Sequence, residues 1–476
     1  MTRTRQARLI EGPIALTLTK LTIPMLVGIF SMIAFNLVDT FFLARLGTQE
    51  LAAITFTFPV VFGIGSIALG LGVGAAALVS RAIGIGDDEQ VRRLTTDSLV
   101  LALVIVAGFI VLGLLTFEPM FRLLGADDST LPLIRQYMFI WYPGMIFVVV
   151  PMVGNNSIRA TGDTKTPSLI MVTAVVVNIV LDPILIFGLG PAPALGMRGA
   201  AIATVFARAT TLVIAIWVLY FRERMITLHA PPMRVALRSW GRLLYIGVPA
   251  AATNMVMPVG LGIITAMVAG YGHEAVAGLG VASRIESFAL ALVSALSSVL
   301  GPFVGQNWGA GRLDRVKEGI RLSQGFAMIW GAVTFVALIF FAHPLAALFN
   351  DDAAVVGAIV LYLTLIPISY GAFGVLQLSN TALNILNRPL HAAALMVLRM
   401  FVLYVPVAYA SSRWFGIEGV FGAATIANIV AGLAAFVWLR HVLSELPEAP
   451  VPAGRRPAPV PAASAEPAAA VEPAAD

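Results

Sequence analysis

A polar pair inside an apolar helix is the first place in this sequence where chemistry is expected. Asn178 and Asp182 lie in an apolar run over residues 167–188, which is long enough to cross a bilayer as a helix. An ionised aspartate near the centre of such a helix costs about 2.5–3.5 kcal/mol to insert. It therefore usually faces a bundle interior or a water-filled cavity and has a function. Four residues separate the pair, so both side chains lie on one helical face.

A second acid lies at a similar depth in another apolar run. At 1.5 Å per residue, Asp39 is about 28 Å and Asp182 about 26 Å from the basic residue that begins its run. Thr204 lies about 9 Å into a run of the opposite direction, counted from Arg198, and Asp182 is a comparable distance from the outer end of its own run. We therefore expect Asp39, Asn178, Asp182 and Thr204 to form one oxygen-lined pocket.

The expected pocket suits either of two ligands, Na⁺ or a proton. Sodium takes carboxylate, amide and hydroxyl oxygens, and two close carboxylates resist simultaneous ionisation, so protonation would be a property of the pair. The competing interpretation is a structural hydrogen bond between helices, worth about 0.6–2 kcal/mol. Two acids at one depth, with amide and hydroxyl partners, favour the ion site.

Five further residues are candidates for weaker reasons. Pro24 and Pro183 are candidates for mechanistic kinks, because proline removes a backbone donor. The alternative is that they have no mechanistic role, since proline is common in membrane helices. Asn36, Asn155 and Met171 are expected to line a substrate cavity. For Met171 the alternative is plain packing, and for Asn155 it is a hydrogen bond between helices.

Composition sets the fold class that must position these residues. The chain has 476 residues, of which 59% are hydrophobic and 12% charged, against about 25% charged in a soluble domain. The mean hydropathy is +0.91, and several apolar stretches exceed the roughly 18 residues of a membrane helix. We therefore predict an all-α polytopic membrane protein. Cysteine is absent, which excludes disulfides, thiolate metal sites and cysteine nucleophiles.

About twelve spans are expected from the apolar runs, which lie near residues 14–45, 51–80, 95–117, 131–158, 167–188, 199–221, 240–270, 275–305, 320–343, 355–386, 390–412 and 419–440. Their loops are alternately basic and acidic, as the positive-inside rule requires. This predicts a multi-pass protein of the cell (inner) membrane with both termini in the cytoplasm. The basic face carries Arg81, Arg92, Arg93, Arg159, Lys165, Arg222, Arg224, Arg234, Arg238, Arg242, Arg312, Arg315, Lys317, Arg321, Arg388 and Arg440; the acidic face carries Glu50, Glu118, Asp127, Asp128, Glu274, Asp351 and Asp352.

The chain repeats itself internally in one orientation. Ile23-Pro24 corresponds to Val248-Pro249, and Gly196-Met-Arg-Gly199 to Gly416-Ile-Glu-Gly419. Two parallel six-helix lobes are one architecture for alternating access. The position of Asp39 falls on Ile263 or Ile264 in the second half, so the ion site is expected in the first lobe alone. The predicted organisation is a first lobe over 1–221, a basic cytoplasmic linker over 222–239, a second lobe over 240–445 and a disordered Pro/Ala-rich tail over 446–476.

At these residues the chain resembles the multidrug and toxic compound extrusion (MATE) family, across roughly residues 10–445. The motifs that carry the resemblance are Asn36-Leu-Val-Asp39-Thr, Asn155-Asn-Ser-Ile-Arg159-Ala-Thr-Gly162-Asp163, Gly305-Gln306-Asn307 and Gly309-Ala-Gly311. Asn178-x-x-x-Asp182-Pro183, with Gly199-Ala-Ala-Ile-Ala-Thr204, is similar to the DinF-like branch. The resemblance implies V-shaped lobes and export of amphipathic, often cationic compounds. It also implies that Asp39, Asn178, Asp182 and Thr204 hold the coupling ion.

The leading functional hypothesis is a multidrug antiporter that exchanges H⁺ or Na⁺ for its substrate. The alternative is a flippase or exporter of a lipid-linked or amphiphilic metabolite on the same fold. An enzyme is not expected, since no nucleotide-binding glycine loop and no histidine pair at metal spacing are present. The expected partners are membrane lipid and the substrate, with no nucleic acid and no cofactor besides the coupling ion, in a monomer.

Overall fold

The computed structural model describes residues 7–189, 193–229 and 231–446, and the side chains of all of these except Asn36, Ala44 and Thr48. The predicted tail therefore lies outside the described residues, apart from Leu446. The described chain is helical almost throughout. Helices are the expected solution for so apolar a sequence, because a helix satisfies its own backbone donors and acceptors in lipid.

The first half of the chain forms six spans. The spans formed by α5 with α6 and by α8 are not single regular helices: α5 and α6 meet at 41° around Met145, and α8 ends in a π-helical turn over Val218–Arg222. The helices are α1 (Ile14–Ala44), α2 (Thr48–Ile85), α3 (Asp88–Leu115), the short α4 (Phe117–Leu123), α5 (Leu131–Gly144), α6 (Ile146–Ala160), α7 (Lys165–Phe187) and α8 (Met197–Trp217).

The second half also forms six spans. A 3₁₀ turn over Ile366–Ser369 joins α12 to α13, and a π-helical turn over Leu398–Tyr404 joins α14 to α15. Gly416 has non-helical angles (φ 58°) and divides α15, as a residue without a β-carbon can. The helices are α9 (Met233–Ala269), α10 (His273–Gly309), α11 (Leu313–Ala347), α12 (Ala353–Leu365), α13 (Tyr370–Ile385), α14 (Pro389–Val397) and α15 (Val405–Glu445).

The number of spans agrees with the prediction of about twelve. Ten helices within the described ranges are long and apolar enough to cross a membrane, and the bent pair α5 and α6 forms an eleventh. The last of the ten covers residues 389–445, and the break at Gly416 divides it into two spans. The all-α, two-lobed fold class is thereby confirmed.

Part of the predicted linker between the lobes is helical. The predicted basic linker covers residues 222–239, but α9 begins at Met233, so residues 233–239 are helical. Pro232 stands directly before this helix, and proline favours a helix start because its φ is already helical and the donor it lacks would be unpaired there.

Close packing of α7 on α8 depends on Gly199. A β-carbon added there would lie 2.2 Å from the carbonyl oxygen of Leu185. We expect Gly199→Ala to lower the free energy of unfolding by about 1–3 kcal/mol, because α8 must move away from α7. Thermal unfolding of the purified protein measures this. Gly108→Ala is the matched control, since nothing lies within 4 Å of the added carbon, and it should be neutral or stabilising. Equal unfolding temperatures for the two variants would contradict the close approach.

Glycines also allow the two lobes to touch at the basic face. A β-carbon at Gly84 of α2 would lie 2.1 Å from the carbonyl oxygen of Gln306 in α10, and one at Gly309 would lie 2.2 Å from that of Arg81. The Arg81 guanidinium stacks over the Trp308 ring at 4.0 Å. The backbones of α2 and α10 are therefore in direct contact at the basic ends of the lobes.

Gln306 bonds three parts of the chain together at this contact. Its side chain is fully buried and accepts a hydrogen bond from the Leu9 amide at 3.1 Å. Its amide nitrogen donates to the carbonyl oxygen of Ala160, at the end of α6, at 2.7 Å. A single α10 side chain thus joins the second lobe to the first lobe and to the N-terminal segment.

The segment over residues 9–12, here called the N-terminal strap, is bound further by two side chains of the second lobe. Asn307 donates to the Leu9 carbonyl oxygen at 3.1 Å. Arg315 donates to the Gly12 carbonyl oxygen at 2.9 Å. The strap therefore lies across the junction of the lobes, where hydrogen bonds from second-lobe side chains hold it.

Candidate functional site

Asn178 and Asp182 meet on α7 as their spacing predicts. The Asn178 amide donates to one carboxylate oxygen of Asp182 at 3.0 Å, across one helical turn. Both side chains are fully buried. The orientation leaves the second oxygen of Asp182 and the amide oxygen of Asn178 without hydrogen-bond partners.

Asp39 and Thr204 bring two more oxygens to the same place. The carboxylate of Asp39 on α1 interacts electrostatically with Asp182, and the Thr204 hydroxyl on α8 lies beside the Asp39 carboxylate without completing a hydrogen bond. One oxygen of Asp39 and the Thr204 hydroxyl are buried and unpartnered, like those of Asn178 and Asp182. The four predicted residues thus supply four buried oxygens that the described protein leaves unsatisfied.

Unsatisfied buried oxygens are uncommon, because each costs about 1–3 kcal/mol. Four of them from three helices form one set of oxygen acceptors, and such a set suits a proton or a hard cation. Sodium would find two carboxylates, an amide oxygen and a hydroxyl here. The donor set therefore fits the predicted ligands.

Two residues of this site were not predicted. Arg208 on α8 interacts electrostatically with Asp39, and its guanidinium lies 4.4 Å from the centre of the Phe35 ring. Tyr137 on α5 is buried and interacts with both acids. The spacing of four residues between Thr204 and Arg208 could have identified the arginine, since it places both on one face of α8.

The charges of the site do not balance when both acids are ionised. Asp39 and Asp182 contribute two negative charges, and Arg208 contributes one positive charge. Because a buried net charge is strongly unfavourable, one bound monovalent cation is enough to neutralise the group.

The weaker candidates have varied surroundings. The sulfur of Met171 faces Gly28 of α1, where an added β-carbon would lie 2.9 Å from it, so this side chain packs between α1 and α7. The amide oxygen of Asn155 is buried without a partner. Both α1 and α7 continue through Pro24 and Pro183 as single helices. The side chain of Asn36 lies outside the described set.

The second lobe contains a polar network that was also not predicted. Tyr362 of α12 donates to the Glu286 carboxylate of α10, and Arg399 interacts electrostatically with the same acid. The Arg399 guanidinium donates to Asn428 at 2.6 Å, and Asn428 donates to Ser369 at 2.8 Å. Here one acid faces one arginine, and every named group has a partner.

Comparison of the two lobes shows why they are not equivalent. The second-lobe network pairs one acid with one arginine, although the Tyr370 hydroxyl, which interacts with Glu286, is buried without a partner. The first-lobe cluster has one surplus carboxylate and four unsatisfied oxygens. The positions Ile263 and Ile264 predict an ion site in the first lobe alone, and the second lobe contains a half-buried acid, Glu286, at a different position.

Twelve spans in two lobes, with a polar cluster buried among helices, are typical of a membrane transporter. The family model MatE matches residues 24–184 and 249–410, once in each lobe. The chain belongs to the MATE family of transporters. The family contains transporters and no enzymes, which confirms that this chain is not an enzyme.

Relatives of known name agree on transport and differ in substrate. A protein of Shewanella oneidensis named FAD transporter is 40% identical over 91% of this chain and 96% of its own length. A probable multidrug resistance protein of Bacillus subtilis, YoeA, is 26% identical over 84% of this chain and 89% of its own. A crystal structure of the Vibrio cholerae MATE transporter VcmN in the bent form superposes with a TM-score of 0.85 at 31% identity, over 90% of this chain and 97% of that one.

Proposed function

We propose that the protein is a secondary active exporter that exchanges H⁺ or Na⁺ for an amphipathic aromatic or cationic compound, in the cell (inner) membrane with both termini in the cytoplasm. The observation that carries the proposal is the set of four buried, unpartnered oxygens from Asp39, Asn178, Asp182 and Thr204. A transporter driven by an ion gradient needs a buried site whose charge changes when the ion binds, and this cluster meets that requirement.

The net charge of the cluster determines how many cations it binds. With both acids ionised the group carries a net charge of −1, and a single proton or Na⁺ neutralises it. Either cation enters from the side of higher electrochemical potential and makes the cluster compatible with apolar surroundings. The neutral and the charged forms therefore favour different arrangements of the surrounding helices.

Helix α1 can pass this change to the second lobe. It holds Asp39 near one end and packs against α10, where the rings of Phe30 and Phe288 stack at 5.9 Å. At its other end the N-terminal strap is held by Gln306 and Arg315. A change in the charge of Asp39 thus acts on a helix that touches both lobes, and the two-lobe plan supports alternating access.

A second candidate substrate class is favoured by similarity. The relative named FAD transporter shares 40% of its residues with this chain, whereas the relatives with multidrug names share 24–26%. An aromatic metabolite that carries phosphates is therefore the alternative to a cationic drug. This alternative keeps the ion site and changes only the compound that moves.

Transport in proteoliposomes tests both parts of the proposal. We expect a pH or Na⁺ gradient to drive movement of a fluorescent cationic dye, of FAD, or of both, and collapse of that gradient by an ionophore to stop it. Movement of FAD without the dye would assign the metabolite exporter, and the reverse result would assign the multidrug exporter. Transport that is indifferent to both gradients, in liposomes shown to hold them, would refute ion coupling.

A further inference from the structure

A cavity of about 720 Å³ opens at the basic face of the first lobe, beside the beginnings of α1 and α7. It lies far along both helices from the acids of the ion site, at the opposite end of α1 from Asp39. Its lining combines cations with apolar side chains, among them Arg8, Lys20, Ile23, Thr164, Lys165 and Arg222.

Three of these cations are free to bind a ligand. Arg222 is engaged, since it donates to the Asp163 carboxylate at 2.8 Å and lies 3.6 Å from Glu223. Arg8, Lys20 and Lys165 have no ion pair or side-chain hydrogen bond with any residue that the structure describes. The cavity therefore has a surplus of positive charge.

The side chain of Thr164 is an independent observation that favours a ligand in this cavity. It precedes the first residue of α7, where a threonine hydroxyl ordinarily accepts a hydrogen bond from the first turn. Here Asp163 accepts from the Thr166 amide instead, at 3.0 Å. The Thr164 side chain is 3% exposed and its hydroxyl is unpartnered, and Thr164 is among the residues around the cavity, at the positive end of a helix. A donor so placed suits an anionic oxygen.

The surroundings indicate that the anion comes with apolar chains. On α1, Ile23 follows Lys20 by one turn and is 60% exposed, and Val27 one turn deeper is 51% exposed. These side chains form an apolar stripe that leads from the cavity into the bilayer. Near Arg222, the rings of Trp217 and Tyr220 both contact Phe221, and Trp and Tyr concentrate at the interface between headgroups and hydrocarbon.

We propose that this cavity binds the phosphate of an anionic phospholipid, with the headgroup between Lys20, Lys165, Arg8 and the Thr164 hydroxyl and the acyl chains along Ile23 and Val27. Basic pockets between spans on the cytoplasmic side are suited to such headgroups. A free phosphate would use the same cations but not the apolar stripe. Pro24 lines the cavity and lies on α1, the helix that carries Asp39. A bound lipid therefore contacts the helix that a change at the proposed ion site moves.

Native mass spectrometry of the delipidated full-length protein tests the site. Phosphatidylglycerol and phosphatidylcholine with identical acyl chains are titrated separately, and inorganic phosphate in a third series. We expect the first phosphatidylglycerol to bind more tightly than phosphatidylcholine. Since each interfacial lysine contributes about five-fold to affinity for anionic lipid, Lys20→Gln with Lys165→Gln should weaken that binding roughly 25-fold. Thr164→Val should weaken it several-fold.

The control removes the same number of charges elsewhere on the basic face. Arg234 and Arg238 are exposed and do not line the cavity, so Arg234→Gln with Arg238→Gln should leave the first binding event unchanged. Equal affinity for the two lipids, or equal losses in the control and the lysine variant, would overturn the proposal. Displacement of phosphatidylglycerol by millimolar phosphate would assign a free-anion site and refute the lipid. Phosphatidylcholine binding checks that each variant is folded.

Discussion

Asp39→Asn will abolish ion-driven export, with a loss of at least about 100-fold in the gradient-dependent rate, in the range of a full coupling free energy between two sites. The substitution keeps the size of the side chain and removes its charge, so the cluster with Arg208 no longer carries a surplus negative charge. A cation then gains nothing by entering. Asp182→Asn should produce the same loss, because the two carboxylates interact within one group.

The double variant separates one shared site from two independent ones. If both acids hold the same ion, Asp39→Asn combined with Asp182→Asn should be no worse than either single change, since the second removes nothing that remains. Export is measured in proteoliposomes under an imposed gradient. Asp351→Asn, an exposed acid of the acidic face, is the matched control and should transport at the normal rate. Two partial losses that add together would contradict the shared site.

The parts of the first-lobe polar cluster that sequence predicts are those fixed by a single helix or by depth in the membrane. Asn178 and Asp182 lie four residues apart, and the helical repeat alone makes their hydrogen bond possible. Asp39 and Thr204 were found by counting residues from the membrane surface, which gives depth without direction. Depth was sufficient to place these two residues near Asp182, because a buried polar side chain at the same depth in a small lobe has few other polar groups within reach.

Tyr137 and Arg208 show what such counting omits. Both lie on the face that meets Asp39, and that depends on how α5 and α8 are rotated about their axes. The rotation follows from packing against several neighbours at once, which one sequence does not specify. Glu286 was a different kind of omission: an acid within an apolar span is a functional candidate by itself, although its meeting with Arg399 required the fold.

The sequence also did not predict the N-terminal strap or the glycine contacts at the basic face, because both depend on how the helices pack. Gly84 and Gly309 lie on different helices, and nothing in the sequence indicates that these helices touch. The bonds of Leu9 are made by its backbone, so its identity carries no signal. The contact that holds the lobes together at one end is a property of the assembled fold.

Gln306→Ala is therefore expected to open the basic face. The substitution leaves the Leu9 amide and the Ala160 carbonyl oxygen buried without partners, at about 1–3 kcal/mol for each group. This free-energy cost favours arrangements in which the lobes separate there, because water then reaches both groups. Ser80 reports the change, because it is fully buried directly beneath Gly305 of the other lobe.

The chain contains no cysteine, so Ser80→Cys gives a single thiol whose reaction with a water-soluble maleimide measures opening. We expect Gln306→Ala to raise the labelling rate by about 30-fold or more, which corresponds to roughly 2 kcal/mol. Gln324→Ala is the matched control, since Gln324 is also buried but bonds to Ser379 within the second lobe at 3.0 Å. It should lower stability without exposing the thiol. Equal labelling in both variants would mean that Gln306 stabilises the fold in general and does not hold the lobes together at the basic face.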